Sequence, residues 1–108
     1  MAWLVRDGEV LASLDIADSR AARRKGLIGT ERPDSVLYLP KTRSVHTFGM
    51  RYALDVAFVD AELKVLKVVT VAPFRVTRWV AGSAGVFEAE AGCFGVWNLS
   101  VGDELEIR

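Results

Sequence analysis

The run from His46 to Asp55 holds the chain's single imidazole together with Met50, Arg51, Tyr52 and Asp55. An imidazole titrates near neutrality, which makes His46 the natural general base of this chain. Ser44, His46 and Asp55 supply the residue types of a hydrolytic triad. A nucleophile of that kind sits on a sharp glycine-flanked turn beside an oxyanion hole, whereas Ser44 stands between Arg43 and Val45. Cys93 follows Gly92 at the start of a predicted helical turn, where the dipole would favour thiolate, so Cys93 with His46 is a second pairing of nucleophile and base. The packing alternative makes Cys93 a small hydrophobe beside Phe94 and Trp97. For Asp55 the simplest role is structural, either pairing with Lys67 or accepting backbone N–H groups; contact with a ligand is the functional alternative.

Arg43, Arg51, Arg75 and Arg78 form a second group. The guanidinium fork binds carboxylate or phosphate through two parallel hydrogen bonds. If Arg51 and Arg75 meet near His46, they make an anion-binding cleft. The competing expectation pairs these arginines with Glu88, Glu90 or Asp60. Glu88, between Phe87 and Ala89 in a predicted strand, would then be the buried counter-ion of one of them.

Elements that could position these groups must fit into 108 residues, half of them hydrophobic, with 14 basic side chains balancing 14 acidic ones. This describes one globular domain, 1–108, able to bury roughly 65% of its unfolded surface. One cysteine and one histidine leave neither an intrachain disulfide nor a His/Cys zinc cluster, and no cofactor is expected. No run of about 18 uncharged apolar residues and no apolar signal core occur, so the expectation is a cytoplasmic protein without a membrane partner. Arg20, Arg23, Arg24 and Lys25 crowd one helix face. Without net charge or a nucleic-acid motif they read as a solvated surface, and no nucleic-acid partner is expected.

Asp7-Gly8 is a two-residue turn that needs positive φ, and it sets Arg6 opposite Glu9 and Val5 opposite Val10. Asp18 caps a predicted short amphipathic helix through Ile28, ended by Gly29. Extended segments follow at 36–39, 44–48, 54–59, 63–71, 85–89 and 104–107. A three-residue loop at Asp60-Ala61-Glu62 would place Asp55 opposite Lys67. Residues 91–98 predict one or two helical turns, and Val101-Gly102-Asp103 a turn. The pattern is α+β, mostly antiparallel strands.

The segment Arg43 to Asp60 is accompanied by Lys25-Gly26-Leu27-Ile28-Gly29, Ala72-Pro73-Phe74-Arg75, Val86-Phe87-Glu88-Ala89-Glu90-Ala91-Gly92 and Val101-Gly102-Asp103-Glu104-Leu105. Together, in this order and spacing from about residue 9 to 107, these motifs resemble the bacterial and archaeal family called domain of unknown function 192. The resemblance implies a barrel-like curled sheet with one or two short helices and no established enzymatic activity. The chain departs from the family's common pattern in three places. His46-Thr47-Phe48-Gly49-Met50 stands where Trp-Met-Lys-Asn-Thr is frequent, Ala53 stands for a frequent proline, and Thr30 for an arginine. The reading that follows is a small binding or accessory module. Its cleft is lined by Arg43, His46, Arg51, Asp55, Arg75 and Glu88 and faces an anionic small molecule or an acidic protein segment. The alternatives are a small hydrolase or transferase using His46 with Asp55 or Cys93, and a structural module that pairs through a sheet edge. The sequence sets neither the ligand nor the oligomeric state.

Overall fold

The turn at Asp7 and Gly8, with φ of 51° and 79°, joins β1 (Ala2–Arg6) to β2 (Glu9–Ile16) in the expected register, Arg6 opposite Glu9 and Val5 opposite Val10. The protein is described by a computed structural model covering residues 2–17 and 35–108. The predicted helix from Asp18 to Ile28 and its basic face lie outside the described residues. The remaining elements are β3 (Val36–Pro40), β4 (Leu54–Val59), β5 (Val65–Val71), β6 (Gly85–Glu90), α1 (Cys93–Val96) and β7 (Leu105–Ile107).

The seven strands form one sheet in the order β5-β4-β6-β3-β2-β1-β7. All neighbours are antiparallel except β2 and β3, which run parallel, so the sheet is mixed. It curls far enough for its two ends to meet. Lys64 bridges Glu104, Val65 N–H donates to Asp103 O at 2.8 Å, and Gly102 N–H donates to Val65 O at 2.8 Å. This is the barrel-like α+β fold that the sequence implied. Arg6 ties the first strand to the same seam, donating to Trp97 O at 2.6 Å and pairing with Asp103 at 3.1 Å.

Alternation along β4 divides two apolar clusters between the sheet faces. Ala57 and Val59 join Phe87, Ala89, Phe94 and Leu99 on the face that α1 covers. Leu54, Val56 and Phe58 join Val45, Met50, Val71 and Val86 on the other. All six β4 residues are buried, as a central strand covered on both faces requires.

The β4–β5 connection differs from expectation. Asp60 accepts N–H bonds from Glu62 and Lys64, both at 2.9 Å, and Leu63 takes a φ of 63°, so the loop runs through Lys64. An irregularity at Phe58/Val59 adds a further residue. Asp55 therefore lies opposite Thr70, and Lys67 opposite Phe58. The expected strand at 44–48 is reduced to one bridge between His46 and Val76.

Gly85 lies opposite Pro40, and Tyr38 crosses above it with its ring 4.6 Å from that of Phe87. A Cβ at Gly85 would run into the Tyr38 ring and hydroxyl. Gly85→Ala is expected to cost about 2 kcal/mol through forced repacking of Tyr38, measured by urea unfolding.

Candidate functional site

Two irregular segments, 43–48 and 74–80, lie together across the second cluster. Their pairing is local and polar: Thr47 N–H donates to Arg75 O at 2.8 Å and Thr77 N–H to Val45 O at 2.8 Å. Thr47, fully buried, fastens them from beneath, its hydroxyl donating to Ala72 O at 2.6 Å and accepting Arg75 N–H at 2.9 Å. Thr77 Oγ1 accepts Val45 N–H at 2.9 Å. The outer surface of this ribbon is unusually apolar for exposed chain. Phe48, Phe74, Val76 and Trp79 are each more than half exposed.

Beside the ribbon, against β5, opens a cleft of about 410 Å³. Buried Phe58 and Val71 contribute its apolar lining, and Lys67, Arg75 and Arg78 its cations. Among the described residues, none of these three forms an ion pair and no carboxylate lines the cleft. The Arg75 guanidinium donates, among the described residues, only to the neighbouring Phe74 carbonyl, at 3.2 Å.

Of the arginines and histidine singled out in the sequence, Arg75 and Arg78 line this cleft. Arg43 lies on the ribbon with its guanidinium 5.4 Å from the centre of the Trp79 ring. His46 is exposed and stacked on Phe48 with centroids 5.5 Å apart. Arg51 is exposed in the turn before β4. Lys67, Thr47 and Thr77 were missed. A three-residue β4–β5 loop pairs Lys67 with Asp55 instead of Phe58, and a buried threonine hydroxyl leaves no pattern to read.

Asp55 faces the other side of the sheet. Its Oδ1 accepts the Thr70 hydroxyl at 2.7 Å, and its Oδ2 accepts Gly92 N–H at 2.8 Å and Phe94 N–H at 3.1 Å. It does not pair with Lys67; backbone N–H acceptance, the other structural role, is what occurs. Gly92, at a φ of 104°, has no side chain with which to cap α1, and Asp55 does so from a neighbouring strand. Asp55 also borders a second opening of about 450 Å³, between β5 and residues 92–100.

Cys93 sits at the start of that turn, yet its thiol is pushed up, first by burial and then by the charges of Asp55 and Glu90. The expected thiolate-favouring dipole does not prevail. A single turn has little dipole, and the Asp55 carboxylate already occupies its free N–H groups.

Glu88 is 3% exposed and shares the sheet face of Val86. Among the described residues its Oε1 finds no hydrogen-bond partner and it forms no ion pair, so it is not the counter-ion of Arg43, Arg51, Arg75 or Arg78. Burial alone pushes its carboxyl up to about 7. On the same side Tyr52 Oη is likewise buried without a partner, its hydroxyl raised by burial and then by Glu90 and Glu88. The six expected cleft residues thus stand in four places: Arg75 in the basic cleft, Arg43, His46 and Arg51 on exposed surface, Asp55 buried on one face of the sheet and Glu88 buried on the other. Among the described residues no three His, Cys, Asp or Glu side chains are grouped to hold a metal, and no helix is long and apolar enough to cross a membrane.

A family model named DUF192, described as "Uncharacterized ACR", matches residues 2–107. The chain belongs to DUF192. Relatives of this DUF192 chain include a UPF0127 protein of Pyrococcus abyssi, 31% identical over 98 residues that cover 86% of this chain and 84% of the relative. Another, of Thermococcus sibiricus, is 31% identical over 97 residues, 84% of this chain; the match spans only 63% of the relative's length. Two solved structures share the DUF192 fold. One is a protein of unknown function from Novosphingobium aromaticivorans, with a TM-score of 0.80, 18% identity, and coverage of 97% of this chain and 82% of that one. The other, from Sinorhizobium meliloti, is described as a candidate transcription regulator; its TM-score is 0.75, its identity 22%, and its coverage 97% and 90%. At these identities the likeness concerns fold alone.

Asp55→Ala leaves three donors without their acceptor and is expected to cost about 3 kcal/mol in urea unfolding, with exchange of the Phe94 amide accelerated. Glu88 predicts a pH dependence. The folded state keeps its proton up to about pH 7, where an unfolded carboxyl, near 4.5, has already lost it. Its contribution, at most about 3 kcal/mol, is fully present below pH 4.5 and is lost as the pH rises through 7. Glu88→Gln is expected to remove this component, flattening the fall in melting temperature between pH 5 and 8.

Proposed function

We propose that this chain is a binding module for an anionic ligand, held at the basic cleft beside β5. One observation carries the reading: Lys67, Arg75 and Arg78 line a single opening with no acidic residue among its described lining, in a chain whose total charge is zero. Cations left unpaired in a concavity raise the local concentration of anions and bind carboxylate or phosphate when they arrive. The exposed Phe74, Val76 and Trp79 nearby add apolar contact, which suits a ligand larger than a free ion. A cytoplasmic location accords with the free thiol of Cys93. A hydrolase or transferase built on His46 with Asp55 or Cys93 draws less support. Asp55 is engaged by three donors, the Cys93 thiol is raised, and His46 stacks on exposed Phe48.

Titration with poly-L-glutamate at low salt tests the reading by calorimetry. Binding is expected to weaken with added salt and to fall at least about tenfold in the double variant Arg75→Glu/Arg78→Glu, equivalent to about 1.4 kcal/mol. Equal affinity of the variant and the original protein would overturn it.

A further inference from the structure

We propose that the anionic ligand is an extended peptide that adds to β5 as a further strand, with acidic side chains on one of its faces and small apolar side chains on the other. The inference rests on the reading of the basic cleft and names the ligand's form. β5 ends the sheet. Beyond its ladder with β4, its backbone bonds engage Val65 alone, through Gly102 and Asp103, so the outward N–H and C=O groups from Leu66 to Val71 have no partner among the described residues. Such an edge is a template for an added strand.

What separates this edge from an ordinary one is that an opening lies on each side of it. The basic cleft takes Lys67, Val69 and Val71 into its lining; the second opening takes Val68, together with Phe94 and Leu99; and Thr70 borders both. A strand sends successive side chains to opposite faces. A peptide of six residues laid along β5 spans about 20 Å and points roughly three side chains toward each opening. The two openings then select differently. Lys67, Arg75 and Arg78 favour acidic side chains on one side. On the other, Phe94, Leu99 and Val68 favour small apolar ones, and the Asp55 carboxylate disfavours acids. A second copy of this chain is the wrong occupant, because antiparallel pairing of two β5 edges would set Lys67, Arg75 and Arg78 of each copy against their equivalents.

The test uses the full chain and a capped seven-residue peptide alternating glutamate and valine. Two controls accompany it: the same peptide N-methylated at alternate residues, which loses hydrogen-bond donors along one edge but keeps every charge, and a peptide of equal composition with its glutamates grouped. The alternating peptide is expected to bind at least tenfold more tightly than either control and to slow amide exchange within Leu66–Val71. Equal affinity for all three, lost in Arg75→Glu/Arg78→Glu, would overturn strand addition and leave the basic cleft standing. Failure of every peptide and of poly-L-glutamate at low salt would overturn both. Dimerisation of the chain alone with protected Leu66–Val71 amides would assign the edge to self-pairing and also overturn the proposal.

Discussion

The arrangement around β5 depends on one buried carboxylate. Removing Asp55 from water costs several kcal/mol unless its oxygens are met by donors, and three donors from two different elements meet them. Thr70 belongs to the edge strand, Gly92 and Phe94 to the turn that opens α1. Satisfying one charge therefore fixes the edge of the sheet and the short helix relative to β4 together. With α1 held there, Phe94 and Leu99 enter the core, and the space left between them and β5 becomes the second opening.

Glu88 makes an instructive contrast. It is buried to a similar degree on a neighbouring strand, yet faces the opposite side, where the covering ribbon supplies Val45 and the turn before β4 supplies Met50 and a tyrosine whose own hydroxyl is unpartnered. That ribbon spends its hydrogen bonds on itself through Thr47 and Thr77. Its guanidinium groups lie outside, over Trp79 and in the basic cleft. Among the described residues, the same segment thus leaves an acid without a base in the interior and bases without an acid at the surface.

Much of the fold could be read from the residues because local rules determined it. Asp7-Gly8 admits one kind of turn, and a two-residue turn fixes the first two pairs, Arg6 with Glu9 and Val5 with Val10, before a bulge at Leu4/Val5 shifts the rest. The β4–β5 register could not be read the same way. The loop there is longer than its turn-forming residues suggest, since Leu63 accepts a positive φ and Asp60 holds the backbone N–H groups, and the irregularity at Phe58/Val59 then displaces every later pair. That displacement moved Lys67 from Asp55 to the rim of the basic cleft. Arginine chemistry identified Arg75 as an anion binder, but the ribbon that carries it consists of side-chain-to-backbone bonds between segments some thirty residues apart, and no periodicity announces such bonds.

The union of β1 with β7 reaches from Leu4 to Ile107, nearly the full length of the sequence. Joining segments so distant along a chain exacts a loop-closure entropy before any contact compensates it, and folds rich in such contacts assemble slowly. The β1–β2 hairpin, by contrast, joins adjacent residues, and a two-stranded ribbon by itself is marginal in water. In this DUF192 chain β7 therefore turns β1 from an open edge, the kind that invites mispairing, into an interior strand of the sheet.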